Sequence, residues 1–240
     1  MNIKINRAAI KHNAKLLMGK TKPSPFFVAL AYLAICYILN LLFASVSGQG
    51  KMMNELAEAY SRGNYDFVPA LPVPTLSSAL LSMAISLMLM MMATGFTIYC
   101  FNIVNQRPAS FGNLFDSFSI FFKVLWLNVL IFLFVYLWSL LLIIPGIIAS
   151  YRYRMALYIM LDNPELSPLD CIRQSKEMMK NHKGELFILD LSFLGWFLLT
   201  MMPFVSVFVS PYTELSYLNY YLALRDMPTQ GGADNTQLNI

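Results

Sequence analysis

The chain has 240 residues, of which 58% are hydrophobic and only 12% charged, and its formal net charge is +4. Soluble domains have about 45–50% apolar and about 25% charged residues, so this composition argues against a water-covered surface. Six of the 17 Lys and Arg residues lie within the first 25 residues, which contain no acidic residue. Three cysteines, two of them inside apolar runs, argue against a disulfide-rich secreted protein. We therefore expect a membrane protein whose basic N-terminal segment meets anionic lipid rather than nucleic acid.

Six apolar segments predict membrane-spanning helices, since a span needs about 20 mostly apolar residues. The predicted spans are residues 26–46, 79–101, 124–144, 147–161, 186–202 and 205–222. Pro145 and Gly146 are expected to form the reversal between the third and fourth spans, and Pro203 to hinge the last two. The fourth span is short, at about 22 Å. The alternative is that residues 151–161 lie in the membrane interface, which leaves five spans.

The distribution of basic residues orients this all-α bundle. Lys and Arg cluster before the first span and between the fourth and fifth spans, whereas the loop 47–75 carries only Lys51 and Arg62. Because cytoplasmic loops are enriched in Lys and Arg, both termini are predicted to be cytoplasmic. The expected organisation is a basic segment (1–25), a membrane domain (26–224) and a disordered cytoplasmic tail (225–240). The first apolar run is too long for a cleaved secretory signal and is interpreted as an uncleaved anchor.

Two amphipathic helices are predicted on the cytoplasmic side. One lies in residues 1–25, and the other covers 167–181, where Ser167 is a natural N-cap and Pro168 suits the first helical position. In each, basic side chains share one face and are predicted to contact anionic lipid headgroups. These residues are Lys4, Arg7, Lys11, Lys15, Arg173, Lys176 and Lys180. The alternatives are a topology signal for the first segment and a solvated linker helix for the second.

Four ionisable residues lie inside the predicted spans, where a charge costs at least about 2.5–3.5 kcal/mol on insertion scales. Positions 152 and 154 point roughly 200° apart on a continuous helix. Two separate ion pairs are therefore predicted, Arg152 with Glu214 and Arg154 with Asp190, and Tyr151 and Tyr212 are expected beside them. The pairs either hold the bundle together or line a polar pathway.

Catalytic signals are weak throughout the sequence. It contains no HExxH, GxSxG, P-loop or CxxC motif. Met88 and residues 90–92 could offer soft copper ligands, but methionines in an apolar helix are more typical of packing or lipid contact. We expect no enzyme activity, no cofactor and no metal.

Several short motifs follow one another in the C-terminal half. They are Pro145-Gly-Ile-Ile, Tyr151-Arg-Tyr, Asp162-Asn-Pro-Glu, Ser175-Lys-Glu-Met-Met, Asp190-Leu-Ser-Phe, Gly195-Trp and Pro211-Tyr. With them, residues 115–224 resemble the domain of unknown function 975 family. The resemblance implies a multi-pass protein of the bacterial cytoplasmic membrane with no established activity. Its motif positions fall on Tyr151, Arg152, Asp162, Pro164, Asp190, Trp196, Pro211 and Tyr212, whereas Arg154 and Glu214 are less typical.

Two functions fit these features. The first is a non-enzymatic protein that moves or senses a lipid-associated or small amphipathic substrate through the polar interior of spans four to six. The second is a membrane scaffold that binds a partner protein through its cytoplasmic face. A lipid-headgroup enzyme is disfavoured because the sequence offers no catalytic site.

Overall fold

The structure is a computed structural model that describes residues 5–200 and 202–227; Lys4 and most of the predicted tail lie outside these residues. The described part of the chain is helical and contains no strand. Its first helices are α1 (Arg7–Lys20), α2 (Pro25–Ser47), α3 (Gln49–Ser61), α4 (Leu76–Val104), α5 (Asn113–Asp116) and, after a 3₁₀ turn (Ser117–Ile120), α6 (Phe121–Leu141). The remaining helices are α7 (Ile143–Tyr153), α8 (Ala156–Asp162), α9 (Pro168–Met178), α10 (Lys183–Leu191), α11 (Leu194–Leu199) and α12 (Pro203–Arg225).

Three helical stretches are long and apolar enough to cross a membrane: Pro25–Ser47, Leu76–Val104 and Asn113–Leu141. Local signals in the sequence explain the ends of the first two. Pro25 occupies the first helical position of α2, and Gly48 ends that helix with a left-handed φ of 77°. Thr75 caps α4, because its hydroxyl oxygen accepts a hydrogen bond from the Ser78 amide at 3.2 Å. These helices contain the first two predicted spans completely.

The reversal after the third long stretch differs from the prediction. α6 ends at Leu141, and the extended residue Leu142 (φ −164°, ψ 150°) makes the turn. Pro145 and Gly146 lie inside the first turns of α7. A proline is tolerated there because its missing N–H would have no partner within the helix in any case. The predicted turn at Pro145-Gly146 is therefore wrong by three residues.

The predicted fourth and fifth segments are each broken into two helices. The first break lies at Arg154 and Met155, between α7 and α8, and the second at Ser192 and Phe193, between α10 and α11. By contrast, α12 is a single helix of 23 residues with Pro211 in its interior.

One end of the molecule is close-packed, and we call it the packed end. Tyr99 near the end of α4 donates a hydrogen bond to the Pro23 carbonyl before α2, at 2.7 Å. Lys123 near the start of α6 donates to the Pro164 carbonyl after α8. On α12, Tyr220 donates to the carbonyl of His182, which precedes α10, at 2.9 Å. These bonds join three pairs of segments at the packed end: residues 23 and 99, 123 and 164, and 182 and 220.

The opposite end, which we call the apolar end, consists of helix tips with exposed apolar side chains. At the α6–α7 reversal, Leu141, Leu142 and Ile143 are 69%, 68% and 76% exposed. The first turn of α4 is similar, since Leu76 is 78% exposed. Such a surface suits hydrocarbon and not water.

Candidate functional site around Arg154

Glu214 connects three helices through hydrogen bonds to its carboxylate. On α4, the Thr97 hydroxyl donates to Glu214 Oε1 at 2.9 Å. On α8, the Tyr158 hydroxyl donates to the same oxygen at 3.2 Å. Glu214 itself lies on α12 and is half-buried. The two hydroxyls partly replace the water that the carboxylate gives up inside the protein.

Asp190 is held in the same way by two tyrosines. The Tyr151 hydroxyl from α7 donates to Asp190 Oδ2 at 2.8 Å. The Tyr217 hydroxyl from α12 donates to Oδ1 at 2.8 Å. Each carboxylate oxygen of Asp190 thus has a phenol donor, and α7, α10 and α12 are tied together through one side chain.

Arg154 lies at the break between α7 and α8 and acts on both carboxylates. Its guanidinium carbon is 5.0 Å from the centre of the Tyr217 ring, a cation–π arrangement. It interacts electrostatically with Glu214 and with Asp190. Among the described residues, however, no carboxylate oxygen comes within 4.0 Å of its nitrogens. The side chain is exposed.

We call this group the Arg154 site. It consists of one cation, two carboxylates and four hydroxyl donors, namely Arg154, Asp190, Glu214, Thr97, Tyr151, Tyr158 and Tyr217.

The two predicted ion pairs are not formed. Neither Arg152–Glu214 nor Arg154–Asp190 is within ion-pair distance in the part of the chain that the structure describes. The prediction assumed a continuous helix, whereas α7 ends at Tyr153 and α8 begins at Ala156. Arg152 is half-buried, and its carbonyl oxygen accepts a hydrogen bond from the Ser175 hydroxyl of α9 at 2.8 Å.

The two tyrosines predicted beside the charges differ in their surroundings. Tyr151 belongs to the Arg154 site through its bond to Asp190. Tyr212 packs at the second helix break, where its ring lies 5.5 Å from that of Phe193 and 6.2 Å from that of Trp196. Edge-to-face aromatic packing therefore explains Tyr212.

The analysis of charges in the sequence missed three members of the site: Thr97, Tyr158 and Tyr217. A usable signal was present, because a tyrosine hydroxyl that is buried usually needs a hydrogen-bond partner. Tyr217 also lies three residues after Glu214, which places both on one side of α12. Thr97 has no such signal, since its contact depends on how α4 packs against α12.

The basic residues predicted to contact lipid fall into two groups. Lys11 points into the protein, where its ammonium donates to the Ser192 carbonyl at 3.2 Å and lies 4.2 Å from the centre of the Phe193 ring. Burial, with a smaller contribution from the charge of Arg7, lowers the pKa of Lys11. Lys15 remains exposed and Arg7 half-buried, while Lys4 lies outside the described residues.

In α9, the N-cap predicted at Ser167 is present, since its hydroxyl oxygen accepts from the Asp170 amide at 3.3 Å. Arg173 forms an exposed ion pair with Asp170 at 2.9 Å, and Lys176 and Lys180 are exposed. The opposite face of the helix, residues Cys171, Ile172, Ser175 and Met179, is buried within the protein. That face therefore does not lie on the membrane, and headgroup contact of the basic face stays a prediction.

Residues 5–200 and 202–227 contain no candidate metal site. No group of three His, Cys, Asp or Glu side chains there could hold a metal ion. Cys36, Cys100 and Cys171 are free thiols.

A second group of charged residues lies at the packed end. Asp162 Oδ2 accepts hydrogen bonds from Arg225 Nη1 and from the Tyr221 hydroxyl, both at 2.9 Å. The bond to Asp162 raises the pKa of Arg225. It fixes the end of α12 to the end of α8.

Among comparisons with known proteins, only a family model matches, and it covers the C-terminal part of the chain. No curated protein and no solved structure matches the chain significantly. Residues 139–227 match the family described as "Protein of unknown function (DUF975)". This range contains Arg154, Asp190 and Glu214, but not Thr97. This match supports the resemblance inferred from the motifs to the domain of unknown function 975 family, over residues 139–227 of the chain.

Proposed function

We propose that this is a multi-pass protein of the bacterial cytoplasmic membrane that moves or senses a lipid-associated or small amphipathic substrate without enzymatic chemistry. The substrate presents an anionic group to Arg154. The distribution of Lys and Arg along the chain supports six spans with both termini in the cytoplasm. The exposed lysines Lys176 and Lys180 follow the same orientation rule.

The observation that carries this proposal is that Arg154 is an exposed residue with no carboxylate at ion-pair distance in the part of the chain that the structure describes. Asp190 and Glu214 act on it from a distance, but each carboxylate is already bound to two hydroxyl groups. The planar donor set of an arginine fits a carboxylate or phosphate in a bidentate manner. An anionic headgroup would complete the Arg154 site.

The two helix breaks support a role in binding. Irregular backbone at membrane depth is tolerated only where the protein buries it or where it lines a polar cavity. Here the first break is held by Ser175 and the second by Lys11. Broken helices of this kind place substrate sites in many transporters.

The test compares two arginines that are two residues apart. Purified protein in a neutral detergent is titrated with a short-chain phosphatidylglycerol by calorimetry, with the matching phosphatidylcholine as the uncharged control. Arg154→Gln should weaken phosphatidylglycerol binding about tenfold or more, since a hydrogen-bonded charged contact contributes about 1.5–3 kcal/mol. Arg152→Gln should bind like the unaltered chain.

Two results would contradict the proposal. Unchanged binding by Arg154→Gln would remove this site from headgroup recognition. An equal loss in both variants would indicate a general effect of surface charge instead of a defined site.

A scaffold remains the second candidate, because α9 presents an exposed polar face while its other face is fixed in the protein. Deleting α9 would not test this, since Ser175 and Cys171 are fully buried. Replacing Lys176 and Lys180 by glutamine would test the scaffold function. A scaffold should lose chemical crosslinks from this face to an acidic partner while phosphatidylglycerol binding at Arg154 stays unchanged.

A further inference from the structure

An open groove runs between α2 and the first turns of α12, apart from the Arg154 site. Its volume is about 560 Å³, and its walls include Phe26, Leu30 and Tyr37 of α2 and Phe204 and Phe208 of α12. Leu30 and Phe208 are 46% and 53% exposed, so the groove opens outward. Neither Asp nor Glu lines it.

The α2 wall of the groove is long enough for a lipid chain, whereas the α12 wall covers only Phe204–Phe208. From Phe26 to Asn40, the lining of α2 extends along one helix for about 21 Å at about 1.5 Å per residue. One leaflet of a bilayer has a hydrocarbon depth of about 15 Å, half of the total of about 30 Å. The rings of Phe26 and Phe208 lie 4.7 Å apart at the start of the α2 wall.

Basic residues directly precede Phe26 in the sequence. Lys20 is the last residue of α1, and Lys22 comes four residues before Phe26. Both are exposed, and neither forms an ion pair within the described ranges. The first 25 residues contain no acidic side chain to compete for these lysines. Chain connectivity therefore keeps Lys22 near the Phe26 end of the groove, and its charge is complementary to a phosphodiester.

We propose that the α2–α12 groove binds one anionic phospholipid, with an acyl chain between the two helices and the phosphate at Lys20 and Lys22. This site shares no residue with the Arg154 site and does not depend on the function proposed for it. In this proposal the N-terminal segment binds one lipid at a defined position, in contrast to diffuse contact with the membrane surface.

Native mass spectrometry of the purified full chain, delipidated and supplied with dioleoyl phosphatidylglycerol or phosphatidylcholine, tests the proposal. Ala34 lines the groove and is exposed, so Ala34→Trp should fill it and reduce the retained lipid several-fold. Ile38, 57% exposed and one turn further on, does not line the groove. Ile38→Trp is therefore the matched control and should retain lipid normally.

Separate variants test the proposed contact of the phosphate with Lys20 and Lys22. Each lysine near the membrane surface should contribute about fivefold to phosphatidylglycerol affinity. Lys20→Gln with Lys22→Gln should therefore remove most of the preference over phosphatidylcholine, whereas Lys176→Gln with Lys180→Gln should preserve it. Arg154→Gln should also preserve it, which separates this site from the proposed function.

Three outcomes would overturn the proposal. Equal lipid retention by Ala34→Trp and Ile38→Trp would show that the groove is not the site. An unchanged preference after replacement of Lys20 and Lys22 would remove the phosphate contact. A dimer that Ala34→Trp dissociates, with no change in bound lipid, would identify a second copy of the chain as the occupant.

Discussion

The two halves of α4 are both apolar, yet their surroundings are opposite. Met91, Met92 and Phe101 in the second half are at most 2% exposed, whereas Leu80 and Met83 in the first half are 54% and 57% exposed. Hydrophobicity alone therefore does not tell a protein-facing residue from one at the apolar end. The difference lies in packing: at the packed end shape and hydrogen bonds decide stability, while at the apolar end only apolar character should matter.

The strongest test of this comparison uses two glycines. A Cβ on Gly95 of α4 would lie 2.0 Å from the Leu114 carbonyl oxygen, and backbone cannot move aside as a flexible side chain can. Gly95→Ala should therefore destabilise the protein by about 3 kcal/mol, at the upper end for overpacking. Gly195 in α11 has no atom within 4 Å of its added Cβ. Gly195→Ala should be neutral or stabilising by up to about 1 kcal/mol.

Thermal unfolding in detergent measures this difference, because the buried thiol of Cys100 reacts with a dye only after unfolding. Equal midpoints for both variants would mean that α4 and residue 114 do not approach as described.

The second largest expected effect on stability comes from the hydrogen bonds of Ser175. Ser175 donates to the Arg152 carbonyl at 2.8 Å, and its oxygen accepts from the Met155 amide at 3.2 Å. Ser175→Ala leaves both backbone groups at the break without a partner, at a cost of about 1–3 kcal/mol. Ser150 is exposed and bonds only within its own helix, to Ile147. Ser150→Ala should change the unfolding midpoint little, and similar losses in both would argue against a role of α9 in holding the break.

Charge coupling should be smaller again. In a double-mutant cycle on unfolding free energy, Arg154→Gln and Glu214→Gln should couple by about 0.5 kcal/mol, since the charges interact without direct contact. Arg152→Gln and Glu214→Gln should be additive within error. Coupling in the Arg152 cycle alone would restore the pairing expected from the sequence.

The sequence predicted the long helices well because their signal is local. About 20 apolar residues bounded by Pro25 and Gly48, or started by Thr75, define α2 and α4 without tertiary information. The motif resemblance identified the family of residues 139–227 for the same reason.

The breaks and the partners of the charges were not predictable in this way. The α7–α8 break depends on Ser175, 20 residues from Met155, and Glu214 finds Thr97 117 residues away. Such contacts follow from how helices pack, which periodicity along one segment cannot show. Arg154 was identified as a candidate, but its position between two carboxylates required the fold.

The last test concerns Lys11, whose ammonium lies at Ser192 and Phe193, the second helix break. Lys11→Met removes a cation–π contact of about 0.5–1 kcal/mol and leaves the Ser192 carbonyl without its donor. The pH dependence is more specific. Burial lowers the pKa of Lys11 below the ordinary 10.5, so the unfolded chain holds this proton more tightly than the folded chain. Stability from Lys11 should therefore rise as pH increases through that interval. Unfolding midpoints at increasing pH should show this slope in Lys15→Met, whose replaced lysine is exposed, and lose it in Lys11→Met. A slope that survives in Lys11→Met would place the titrating group elsewhere and leave α1 as a helix on the surface.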